Sequence, residues 1–196
     1  MTPRTADFLA SLPAVPAPPT FTLDDLYARF PDRTDRPATE RVEAARVPEP
    51  YHRLLVHSHH MTVTVEEFYG DAVDVKVLEA RHDGDGYARK ILLALRGSGK
   101  VVQFGIVHID LSFLSRPVRD EIVSQRTPLG RVLIRHNVLR VVRPVEFFRA
   151  VPGPAMCDWF GLTAPETTYG RLGVIYTDGK PAIRVAEIMV PVRAGS

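Results

Sequence analysis

The feature that most constrains this chain is a series of β-prone runs joined by connections too short to cross a sheet. The runs are Val73 to Glu79, Tyr87 to Leu95, Val101 to Ile109, Val138 to Phe147, Gly170 to Tyr176 and Ala182 to Val190. Most are separated by turn strings, notably Asp83-Gly84-Asp85-Gly86, Gly97-Ser98-Gly99 and Thr177-Asp178-Gly179-Lys180. A parallel crossover needs about a dozen residues or more, so these links make antiparallel hairpins. Two helical stretches interrupt the series. One begins near Ser115, carries Pro117 in its first turn and runs to about Gln125. The other has Thr127 as N-cap and Pro128 at the first helical position, with Leu129, Val132, Leu133 and His136 at helical spacing. Strands, helices and strands again predict an α+β fold: a six-stranded antiparallel sheet with helices on one face.

A chain of 196 residues is long enough for one sizeable core and short for two. Residues 1–49 read as a Pro-rich N-terminal arm packing on that core through Phe8, Leu9, Leu12, Phe21, Leu26 and Phe30. Within the arm, Leu23 to Phe30 is a short helical candidate with Thr22 as N-cap. Residues 50–196 form the domain itself. The 25 Lys+Arg and 23 Asp+Glu leave a net charge of +2 in no dense basic tract. That balance argues against a nucleic-acid partner and suits a protein handling small anions. The single cysteine, Cys157, excludes an internal disulfide, and no paired Cys/His spacing suggests zinc. Without a basic n-region before an apolar run, or a stretch of roughly 18 apolar residues, the expectation is a soluble cytoplasmic protein with no membrane partner.

Two charges stand where strands should be apolar. Alternation puts Arg89 on the face of Tyr87, Ile91, Leu93 and Leu95, and Glu187 on the face of Ile183, Val185 and Met189. A lone buried charge costs several kcal/mol, so each needs a partner or a ligand of opposite polarity. The pair belongs in one pocket, or forms a structural ion pair, or the faces are reversed, since Lys90 and Arg184 occupy the opposite faces. The opening of the second helix, Thr127-Pro128-Leu129-Gly130-Arg131, offers the free amides of Leu129 and Gly130 to a carboxylate, unless Thr127 simply caps them. His57, His59 and His60 form a cluster without a further spaced ligand, so it reads as a polar loop or strand end at a pocket entrance, with no metal. His108, among Val102, Phe104 and Ile106, reads as a hydrogen-bonded core histidine. Ser58 and Cys157 have no nucleophile setting, and Gly97-Ser98-Gly99 is a turn, not a phosphate loop.

Taken in order, four strings resemble the chorismate pyruvate-lyase family. They are Leu54-Leu55-Val56 leading to Met61-Thr62, then Arg89-Lys90-Ile91-Leu92-Leu93, then Thr127-Pro128-Leu129-Gly130-Arg131, and Gly179-Lys180-Pro181 leading to Glu187-Ile188-Met189-Val190-Pro191. The resemblance covers about residues 50 to 192. It implies a six-stranded antiparallel sheet with helices on one side and a buried site closed by flaps. It also implies a carbon–oxygen lyase that eliminates pyruvate from chorismate, or a close analogue, to give a hydroxybenzoate without metal or organic cofactor. Carried over, Arg89 pairs with the ring carboxylate, the Leu129 amide supports it, Glu187 meets the ring oxygen or moves the proton, and Met61 belongs to a flap. The departures are His60, where those lyases carry serine, and Ile106, where an arginine is expected. A second substrate carboxylate then falls to Arg131, Arg171 or His60. Two other readings keep the pocket: an enzyme of a secondary pathway performing elimination, dehydration or cyclisation on another substrate, and a non-catalytic sensor of small aromatic acids. All three take a small-molecule carboxylic acid as partner.

Overall fold

The structure, a computed structural model, describes residues 16–192. Phe8, Leu9 and Leu12 lie outside the described residues. The elements are α1 (Leu23–Tyr27), β1 (Ala38–Val42), α2 (Tyr51–Leu55), α3 (Met61–Tyr69), β2 (Val73–Asp83), β3 (Gly86–Leu95) and β4 (Val101–Asp110), followed by α4 (Arg116–Val123), α5 (Leu129–Arg135), β5 (Arg140–Val151), α6 (Pro154–Phe160), β6 (Thr168–Thr177) and β7 (Lys180–Met189). Every strand pairing is antiparallel, in the order β1-β5-β6-β7-β4-β3-β2. The β6–β7 turn shows why such short links suffice. Asp178 and Gly179, between Thr177 and Lys180, have φ of 49° and 77°, the left-handed pair that a two-residue hairpin requires.

The sheet has seven strands, which corrects the expectation of six. The added strand, β1, reads Ala-Thr-Glu-Arg-Val, is exposed at its first four positions, and pairs with Phe147–Val151 of β5. An edge strand with no buried face carries no apolar alternation for a sequence reading to detect.

Helices cover both faces of the sheet, which corrects the expectation of one covered face. On β3, the face of Tyr87, Ile91 and Leu93 meets α2 to α5 through Leu54, Leu55, Met61, Val65, Val118, Ile122, Val132 and Leu133. The face of Ala88 and Leu92, with Phe104, Ile106 and Leu172, meets α1 and α6 through Leu26, Tyr27, Met156 and Phe160. α1 begins with a reciprocal cap, in which the Thr22 hydroxyl accepts from the Asp25 amide and the Asp25 carboxylate accepts from the Thr22 amide. The segment is fastened by Lys90, 2% exposed, whose Nζ donates to Asp35 Oδ1 and to the Asp32 carbonyl, both at 2.8 Å, between the rings of Tyr27 and Phe30. His108 Nε2 donates to the Leu26 carbonyl at 2.9 Å on the same face. With α1, the residues around it and α6 closing one face, the other is left to build a pocket under α3 and α5.

Candidate functional site

The pocket lies between that second face and the first turns of α3 and α5. Its floor is read from strand register. Ile91, Gly105, Glu187 and Arg171 form one row across β3, β4, β7 and β6. Arg89 with Val107 and Val185 lies in the row on one side, and Gln103 with Leu93 and Met189 in the row on the other. Gly105, without a side chain, keeps the middle of the floor low. The roof is His60, Met61 and Thr62 from the start of α3, with Leu129 and Gly130 from the start of α5. The enclosed cavity is about 50 Å³. Ordinary ligand pockets are roughly 300 Å³ or more, so a guest must displace the roof.

The two inward charges reach this cavity without pairing with each other. Glu187 is held by Arg171, whose Nε donates to Glu187 Oε2 at 2.6 Å. Arg171 is 1% exposed and spends its other donors on the chain entering α3: Nη1 on the carbonyls of Leu55 at 2.8 Å and His57 at 2.9 Å, and Nη2 on that of His59 at 3.5 Å. It is a strut joining β6, β7 and the roof, with four of its five N–H groups engaged. The expectation that Glu187 and Arg89 form one matched pair is corrected: Arg171 is the counter-ion of Glu187, because the two stand directly opposite in the β6–β7 ladder.

Arg89 is equally buried, at 1%, and has no ion pair among the described residues. Its hydrogen bonding is weak: Nη1 reaches the Ile122 carbonyl only at 3.4 Å, an oxygen that already accepts from the Gln125 amide, and the buried Tyr87 hydroxyl stands beside the guanidinium as a further acceptor short of good geometry. Its Nε has no acceptor. Burial holds its pKa below the ordinary guanidinium value, opposed by the neighbouring Tyr87 phenol. A guanidinium nevertheless keeps its proton in proteins. This is a buried cation with no carboxylate partner among the described residues, lining a cavity.

Of the other expected site residues, His60, Met61, Leu129 and Gly130 line the cavity. Arg131 does not; it is turned outward to an ion pair with Glu66 of α3, which corrects its assignment to the site. Ile106 is also not a site position, since it packs in the core on the opposite face. Thr127 does not cap α5: the N-cap is Pro128 and no side chain caps it. Gly130 is required by close approach, because a Cβ there would stand 2.9 Å from Thr62 Oγ1 and 3.3 Å from His60 Cβ. His57 and His60 are neutral. His57 is lowered to about 4 by burial and then by Arg171; its Nε2 donates to the Leu54 carbonyl at 2.7 Å. His60 is lowered to about 4 by burial and by Arg140, whose Nε donates to His60 Nε2. Of the two readings of His57 and His59, a polar loop or a strand end, the structure shows the loop: both follow α2 in a bend, rings stacked at 5.6 Å. Sequence reasoning missed Gln103, which lines the cavity at 2% exposure with Oε1 unpartnered. Its signal was the alternation of β4, which places it on the face of Gly105 and Val107.

No protein-family model matches the sequence, and no curated protein is similar to it. Among solved structures, PhnF from Mycobacterium smegmatis aligns with a TM-score of 0.52 at 11% identity, over 74% of this chain and 72% of that one. The effector domain of PhnF aligns with a TM-score of 0.51 at 11% identity, over 67% of this chain and 88% of that one. A transcriptional regulator of the GntR family from Bacillus cereus aligns at 0.42 with 13% identity, over 63% of this chain and 96% of that one. The fold is thus one that this chain shares with the effector domain of PhnF. The expectation of a carbon–oxygen lyase, with its vocabulary of chorismate, pyruvate, 4-hydroxybenzoate and secondary biosynthesis, is corrected by the structures that share the fold, PhnF and its effector domain, neither of which is named for lyase activity. Among the described residues, no helix is long and apolar enough to cross a membrane.

Proposed function

We propose that this chain is a ligand-binding domain that senses a small aromatic carboxylic acid without converting it, with Arg89 as the residue that holds the carboxylate. The observation that carries the reading is the lone buried guanidinium. Several kcal/mol of desolvation are uncompensated by the protein, and a planar carboxylate facing the guanidinium would compensate them through two parallel charge-assisted hydrogen bonds. The apolar walls, Ile91, Leu93, Val107, Val142, Ile175 and Val185, suit a ring. Entry of the acid would move His60, Met61 and Thr62, and that displacement is the signal available to the rest of the molecule. The effector domain of PhnF shares the fold, so the exclusion of nucleic acid drawn from the charge of this chain is not carried to an assembly in which such a domain serves.

The test pairs binding with turnover. A benzoic acid at about 100 times its Kd should stabilise the folded chain by roughly 2.7 kcal/mol, and Arg89→Met should abolish the effect. Incubation with chorismate should release pyruvate at the uncatalysed rate. Pyruvate formed above that rate, or stabilisation that survives Arg89→Met, would sink the proposal.

A further inference from the structure

We infer that Gln103 determines specificity in this pocket, its amide reading a hydroxyl at the end of the acid remote from Arg89. The inference rests on the reading of the cavity as an acid site and names the ligand class more narrowly, as a hydroxylated aromatic acid. Gln103 is 2% exposed, lines the cavity, and leaves Oε1 without a partner. Its cross-strand neighbours are Leu93 and Met189, both buried and apolar, so neither can bond it. Nor do they favour a permanent water, which needs two to four polar partners. A buried amide of this kind is costly in a core and useful in a recognition site.

Register places this amide and the lone cation at opposite ends of one floor. Arg89 pairs with Val107, four residues along β4 from Gln103, with Gly105 midway. At about 3.3 Å per residue the two backbone positions are roughly 13 Å apart. Both side chains line the cavity, so an acid that spans it under a displaced roof meets the guanidinium at one end and the amide at the other. A hydroxyl is the group that answers Gln103 best, because it both donates and accepts and satisfies the amide in either orientation. Glu187, already bonded to Arg171, is the weaker candidate for that hydroxyl.

The experiment is isothermal titration of the full chain and of Gln103→Met with benzoate, 3-hydroxybenzoate and 4-hydroxybenzoate. Methionine keeps the length of glutamine, and removing an unsatisfied amide favours folding of the variant. In the parent chain one hydroxy acid should bind at least about tenfold more tightly than benzoate. In Gln103→Met that preference should fall below about twofold while benzoate binding is kept. Binding of all three acids with no preference in the parent chain, or a preference that persists in Gln103→Met, overturns the role of Gln103 and leaves the acid site standing. Absence of binding by every acid overturns both.

Discussion

The structure contains two arginines buried to the same degree, 1% exposed, on the same face of the same sheet, and it predicts that removing them has opposite effects on stability. Arg171 is compensated by Glu187 at 2.6 Å and by the Leu55 and His57 carbonyls at 2.8 and 2.9 Å. Arg171→Met strands a mostly buried carboxylate and two carbonyls, a loss of about 3–5 kcal/mol for a broken buried pair. Arg89 has a long bond, at 3.4 Å, and an unpartnered Nε. Replacing uncompensated buried ionic groups by an apolar side chain is neutral or stabilising by about 1–4 kcal/mol, so Arg89→Met should be as stable as the parent or more so. For a chain of this size each kcal/mol moves Tm by roughly 2–4 °C. The assay is urea unfolding with thermal melts, in buffer free of carboxylate and phosphate. A loss in Arg89→Met comparable to that in Arg171→Met would show that Arg89 is a structural residue and refute the reasoning that sets it aside for a ligand.

Other consequences follow from the same geometry. Lys90→Met should cost about 3–5 kcal/mol by leaving Asp35 buried and unpaired, and should expose residues 16–37 to limited proteolysis, read by mass spectrometry. Gly130→Ala should push the α5 start away from Thr62 and His60, costing about 1–3 kcal/mol and weakening acid binding by titration. His57, His60 and His108 each titrate near 4 in the folded chain against 6.5 ordinarily, burial being the first cause in all three. Their folded forms resist protonation, so stability is full above 6.5 and declines as pH falls from there towards 4. The combined loss is a few kcal/mol at most, about that size because all three keep some contact with water; denaturation midpoints at pH 7 and 5 measure it. Midpoints unchanged between those values would contradict the neutral, buried assignment.

The parts of the fold legible in the sequence are those governed by short-range rules. Alternation located six strands and the faces of Arg89 and Glu187, and the Asp178-Gly179 turn located the last hairpin. What escaped depended on contacts distant in sequence. β1 has no buried face of its own and exists through β5. α2 and α3 were hidden by the histidines between them, and α6 by its brevity and its opening proline. Arg171 could be named as a spare cation but not paired with Glu187, because a two-residue turn without irregularity places Ala186 opposite it. The register shift between Ile175 and Thr177 moves the pairing by one residue and brings Glu187 into line. That shift is what turned an expected Arg89–Glu187 couple into a filled pair and a free cation. Gln103, a lone polar residue among apolar ones, acquires meaning only when its cross-strand neighbours are seen to offer it nothing.

The most direct measurement is a crystal structure of the chain grown with 4-hydroxybenzoate. The carboxylate is expected within about 3 Å of the Arg89 guanidinium, under a roof shifted at His60, Met61 and Thr62, with the Arg171–Glu187 pair intact. A carboxylate bound elsewhere, with Arg89 still bonded to the Ile122 carbonyl, would contradict the account.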